Sequence, residues 1–200
     1  MSLLDRIKSR SSVSGENVPV SSVSTPAPFQ STRSEVRATA PEAVLRGLAP
    51  DGGLFVAPAI SSGSFDVQGC LALSPLEQAA KILAHLLPGF GNMHALVQRA
   101  YDGRFASPAL TPLVPVGDDY VLELFHGPTA AFKDVALCML PQLMTAARTL
   151  TGMQDKTVIL TATSGDTGKA ALEGFHDVPG TGIMVFFPYQ GVSAVQEPRC

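Results

Sequence analysis

A disulfide framework, an excess of charge of one sign and a long apolar run are all missing from these 200 residues. Cysteine occurs only at Cys70, Cys138 and Cys200, with no C-x-x-C pair and no even set. That spacing excludes a cystine scaffold and a cysteine zinc site, and it points to reduced, cytosol-like chemistry with no metal. The formal net charge is -3 and Lys and Arg are scattered, so no basic field exists to attract nucleic acid or anionic lipid. No run of about 18 apolar residues is present, which leaves nothing to span a bilayer. Basic residues and serines crowd the N-terminus, but Asp5 and Glu16 interrupt it and no apolar stretch follows. A secretory signal is excluded, an organellar transit peptide in residues 1-29 stays open, and the cytoplasm is the expected compartment.

What is present is 46% hydrophobic residues against 16% charged ones, enough for a sizeable core in a chain of one or two domains. Residues 1-29 are serine-rich, end near Ser24-Thr-Pro-Ala-Pro28 and show no apolar period, so they read as a flexible extension. From 30 to 115 the pattern is mostly helical. Pro41 to Arg46 forms a short helix stopped by Gly47, and Pro50-Asp-Gly-Gly53 turns into a strand at Leu54 to Val56. Ser74-Pro-Leu-Glu77 opens an amphipathic helix, its apolar residues repeating from Leu76 to Leu87 until Pro88-Gly89. Another helix spans Met93 to Tyr101.

From 116 to 200 apolar strands alternate with helices, which predicts an α/β domain with a parallel sheet covered on both faces. The expected strands are Tyr120 to Phe125, Thr157 to Ala162 and Gly182 to Phe187. The expected helices are Lys133 to Leu150, with a kink or break at Pro141, and Gly168 to His176.

Three constellations could carry chemistry. In Leu122-Glu-Leu-Phe-His-Gly-Pro-Thr-Ala-Ala-Phe-Lys-Asp134 a lysine falls at a helix start. The positive end of the helix dipole and burial both disfavour the protonated amine, leaving a nucleophile suited to an aldehyde cofactor. The plainer reading is a solvated Lys133 beside an acidic first-turn Asp134. In Thr161-Ala-Thr-Ser-Gly-Asp-Thr-Gly-Lys-Ala170 a polar glycine turn precedes a helix. Helix-start N–H groups with the hydroxyls of Ser164 and Thr167 suit a carboxylate or a phosphate, against the alternative of a tight turn with its own cap. Thr163 and Ala170 stand where a nucleotide P-loop needs Gly and Ser or Thr, so that motif is rejected. Phe29-Gln-Ser-Thr-Arg33 offers an arginine and hydroxyls for a phosphate ester, or simply a surface arginine. Among the histidines, His85 reads as a half-buried packing residue, His94 and His176 as exposed, and His126 as the one placed to face a ligand.

These segments, in this order and covering about residues 29-197, resemble threonine synthases: S-T-R, P-D-G-G-L-F-V, L-E-L-F-H-G-P-T-A-A-F-K-D, T-A-T-S-G-D-T-G-K-A-A-L-E-G-F and G-V-S-A-V-Q. The resemblance implies a fold-type II pyridoxal-phosphate enzyme that converts O-phospho-L-homoserine and water to L-threonine and phosphate. Lys133 then matches the family's Schiff-base lysine. Ser164, Gly165, Asp166, Thr167 and Gly168 match the turn that holds the substrate carboxylate beside the cofactor. Thr32 and Arg33 are candidates for the substrate phosphate. The family usually has Gly where Ser34 stands, and its members continue past the G-V-S segment into the part that grips the cofactor phosphate and the pyridine nitrogen. The chain is therefore expected to be a fragment, with the C-terminal part of the fold absent and no activity alone. The alternatives are a non-catalytic remnant or interaction module, and another fold-type II lyase such as a serine or threonine dehydratase.

Overall fold

Helix starts are set by local capping. Thr39 donates its backbone N–H to Glu42 Oε2 at 2.8 Å while its hydroxyl accepts from Glu42 N, and helix α1 (Ala40–Arg46) follows. Ser74 repeats the device on Glu77 Oε2 at 2.9 Å and opens α3 (Pro75–Leu86), after a short α2 (Val67–Leu71). Asn92 caps α4 (Met93–Tyr101) by accepting from Ala95 N. The computed structural model describes residues 28–57, 65–163 and 165–188.

Ahead of these helices β1 (Phe29–Ser31) pairs antiparallel with β2 (Arg37–Ala38) and with β3 (Phe55–Val56) in the order β2-β1-β3. Strand β1 thus begins at Phe29, the final residue of the expected extension, whose residues 1–27 lie outside the described ones. Strands β4 (Leu113–Val116) and β5 (Asp119–Leu122) form an antiparallel hairpin around Gly117 and Asp118. The expected strand Tyr120 to Phe125 is therefore corrected: it stops at Leu122, and its partner is β4 rather than the parallel sheet. The expected division between residues 115 and 116 falls inside β4.

Helix α5 (Asp134–Thr151) runs unbroken through Pro141 and ends on Gly152 in the left-handed conformation (φ 71°), so of the kink or break expected at Pro141 the break does not occur. Pro141 has no N–H for the carbonyl of Leu137, one turn earlier. That carbonyl faces Gly174 of α6 (Asp166–Phe175), where a Cβ would overlap it. The glycine lets a second helix lie against the acceptor that proline leaves free, a setting for a weak Cα–H···O contact.

Strands β6 (Thr157–Ala162) and β7 (Thr181–Phe186) flank α6 and pair in parallel from Thr157 with Thr181 to Ala162 with Phe186. Gly168 of α6 is pressed on this pair, since a Cβ there would come within 2.7 Å of Val185 Cγ1. The opposite face is bare: Val158, Leu160, Met184 and Phe186 are exposed, so coverage of both faces is not met among the described residues.

The core lies where α1, α4 and α5 meet. Val97, Ala100 and Ala147 are fully buried there among Met93, Leu96, Cys138, Met139 and Leu143. Burying a side chain of Val or Leu size contributes about 1.5–3 kcal/mol, so this cluster ties the N-terminal helices to α5. Among the described residues no helix is long and apolar enough to cross a membrane.

Candidate active site

The segment after β5 is a polar loop closed on itself. Glu123 and His126 pair at 2.7 Å, half-buried, with the imidazole stacked on Phe125. Next come Gly127 and Thr129, then Ala130 in the left-handed region (φ 57°). The Thr129 N–H and hydroxyl both donate to Asp134, at 2.8 and 2.6 Å. Asp134 is the acidic first-turn residue of the plainer reading, but it is 1% exposed, and the Lys133 beside it is half-buried rather than solvated.

Lys133 stands at the N-cap of α5 (φ -67°, ψ -17°) and is half-buried, with Nζ 4.6 Å from the Phe132 ring centre. It lines an open cleft of about 510 Å³ with Tyr101, Val135, Met139 and Leu143. The Tyr101 hydroxyl donates to Val135 O at 2.7 Å, and burial pushes its phenol up to about 12. An amine at the edge of an apolar cleft fits the attachment of an aldehyde. Among the described residues, Lys133 is the one cation in the cleft lining.

At the second constellation α6 begins at Asp166, two residues before the expected Gly168, because Lys169 N already donates to Gly165 O at 3.2 Å. Asp166 and Thr167 are therefore first-turn residues whose N–H groups have no intrahelical acceptor. Asp166 is exposed, Thr167 half-buried, and Gly165 and Gly168 are buried. Gly165 N donates to Thr163 Oγ1 at 3.3 Å. Ser164 lies outside the described residues. Helices α5 and α6 run in the same general sense: Leu137 meets Gly174, and farther along Gln142 and Thr145 share a cleft with His176 to Pro179. Their N-terminal ends, at Lys133 and at Gly165 to Thr167, hence face the same side.

The third constellation joins two motifs distant in sequence. Ser31, 6% exposed, donates to both carboxylate oxygens of Asp51 at 2.9 Å, and Asp51 Oδ1 also accepts from Gly53 N. The Ser34 hydroxyl, the Gly53 N–H and the Ser31 hydroxyl hold the Asp51 carboxyl below its ordinary range. A Cβ on Gly53 would strike Ser31 Oγ, which explains the second glycine of P-D-G-G. Thr32 accepts from Leu54 N at 3.0 Å, and Arg33 reaches Asp51 O at 3.4 Å. Both side chains are exposed, and no hydrogen bond links them to Lys133 or to the α6 start among the described residues. Sequence reasoning assigned no role to Asp51 or Thr129, and Asp134 read there only as an acidic first-turn residue. The only trace of the Thr129–Asp134 pairing was a Thr and an Asp at either end of one turn.

Residues 28–101 match the family model described as threonine synthase N terminus. The chain is 37% identical over 160 residues to the threonine synthase of Pseudomonas aeruginosa, covering 78% of this chain and 34% of that protein. It is 35% identical over 173 residues to threonine synthase-like 1 of Pongo abelii, covering 79% of this chain and 22% of that protein. A crystal structure of threonine synthase from Brucella melitensis with bound pyridoxal phosphate superposes with a TM-score of 0.73 at 38% identity, over 86% of this chain and 38% of that one.

The fold is accordingly the mixed α/β fold of the fold-type II pyridoxal-phosphate enzymes, seen over most of the chain. Within that class the chain belongs to the threonine synthase family and carries its N-terminal part. It spans between about a fifth and two fifths of the length of these relatives.

Proposed function

We propose that this chain supplies the reactive lysine and the carboxylate-holding turn of a threonine synthase acting on O-phospho-L-homoserine. The observation behind this is the placement of Lys133 and Gly165–Thr167 at the same-facing starts of neighbouring helices α5 and α6. Pyridoxal phosphate, when bound at Lys133, supplies an electron sink for the carbon acid chemistry that lets the γ-phosphate leave. The Lys133 amine carries the proton between substrate Cα and Cβ as base and acid. The N–H groups of Asp166, Thr167 and Gly168, with Ser164 and the Thr167 hydroxyl, hold the substrate carboxylate at the positive end of α6. Thr32 and Arg33 are assigned to the substrate phosphate, for which an arginine is suited. Residues 30-115 form the N-terminal domain and 116-200 part of the cofactor domain in this reading, and its compartment is the cytoplasm.

The 35% identity to threonine synthase-like 1 favours a second reading, in which the same groups serve another reaction or none. Absorbance separates the two. Pyridoxal phosphate added to the chain should raise a visible band that is absent in K133A and that shifts on adding O-phospho-L-homoserine. Thr167→Val should weaken that response about tenfold, the worth of one hydrogen bond to a charged group. A band indifferent to O-phospho-L-homoserine, or saturable ATP binding at the turn, contradicts the proposal. Phosphate release by the chain alone should stay at background, since in this reading the groups that grip the cofactor phosphate are not among its residues.

A further inference from the structure

Asp134 directly follows Lys133 and is among the most deeply buried side chains of the described residues. A buried carboxyl group is costly unless its oxygens are answered. Here Thr129 answers both, its N–H on Oδ2 at 2.8 Å and its hydroxyl on Oδ1 at 2.6 Å. Gly127 lies against the same carboxyl group, where any Cβ would overlap it. Between them Ala130 adopts φ 57°, a conformation that L-residues other than glycine avoid, with its N–H on Gly127 O at 3.1 Å. A further bond, Asp134 N to Ala131 O at 3.0 Å, closes the second half of the turn. Thr129 donates to Asp134 and accepts nothing from the first N–H groups of α5, so this construction is not a helix cap.

We infer that Gly127, Thr129 and Asp134 form a clamp that positions the Lys133 amine. The carboxyl group, gripped by both Thr129 donors, fixes the turn from 127 to 134 and with it the direction in which the Lys133 side chain leaves the backbone toward the cleft. Thr129 and Asp134 are positioning residues, and no contact of theirs with a substrate is involved. The inference rests on Lys133 being the reactive amine, and the test keeps the two apart.

In the full chain, lysines are acetylated competitively with trace acetic anhydride, and the ratio of Lys133 to Lys156 is read by peptide mass spectrometry. The same variants are also treated with pyridoxal phosphate and borohydride, and each is melted as a folding control. Thr129→Ser keeps the donor and should retain the wild-type ratio. Thr129→Val removes only the hydroxyl and should change the ratio about fivefold while lowering the pyridoxyl share on Lys133. An unchanged ratio in T129V with a cooperative melt overturns the clamp. If T129V does not melt cooperatively, Asp134→Asn decides, because it keeps the volume and alters the bonding: a changed ratio supports the clamp and an unchanged one overturns it. A ratio that responds to T129V while no pyridoxyl appears on wild-type Lys133 upholds the clamp and rejects Lys133 as the cofactor lysine.

Discussion

Tyr101 serves two neighbourhoods at once. Its ring is buried in the core with its edge to Phe105, and its hydroxyl holds the first turn of α5 through Val135 O, two residues from Lys133. Burial is the main reason its phenol titrates near 12 rather than 10, and the nearby Cys138 adds to it. The folded pKa is raised above the unfolded one, so the neutral phenol stabilises the fold fully below pH 10. That contribution drains away as pH climbs from 10 toward 12. Tyr101→Phe should cost about 1 kcal/mol near neutrality, the worth of one hydrogen bond. It should also flatten the alkaline fall, so urea melts from pH 8 upward should show wild type and Y101F converging. Parallel curves at constant separation would assign the alkaline loss to other groups. The role of Tyr101 was not legible in the sequence, where it read simply as the last turn of a helix. The burial of Asp134 was hidden for a different reason, since it depends on a left-handed Ala130 that no glycine announces.

At the scale of elements, the crossing of α5 and α6 depends on a proline and a glycine 33 positions apart (174 minus 141). Gly174→Ala places a methyl group against the Leu137 carbonyl and should destabilise the chain by about 1–3 kcal/mol, the usual range for overpacking. The loss is read as a lower melting temperature, and an unchanged melt would mean that the helices can part without cost. Helices α1, α3 and α4 and strand β6 follow the boundaries expected from caps and periodicity, because those signals lie within a few residues of one another. Hairpin β4–β5 escaped notice although Gly117-Asp118 is a two-residue turn, because Pro115 read as a boundary rather than as an edge-strand residue. The close approach of α6 to the Leu137 carbonyl depends on a glycine in another helix, which no local reading of α5 supplies. At the site, the motifs named Lys133 and the α6 turn, while the Ser31–Asp51 junction appeared only once the chain had folded residues 31 and 51 together.

Across the whole molecule, one core joins the N-terminal helices to α5, and a parallel strand pair carries α6 beside it. The bare face of that pair, with Leu160 65% exposed, contrasts with parallel sheets in general, which are covered on both sides. Five lysines are distributed over the chain, at positions 8, 81, 133, 156 and 169, and they compete for any aldehyde on equal terms unless the fold distinguishes one. Lys133 differs from the others in standing at an N-cap, beside an apolar cleft and next to the Thr129–Asp134 turn, and the proposal is that it is the one that reacts. The most direct measurement is to incubate the whole chain with pyridoxal phosphate, reduce with borohydride and map the modified peptide. The pyridoxyl group should be found on Lys133 in clear excess over the other four. Its appearance on Lys156 or Lys169, or an even spread over all five, would contradict the central claim.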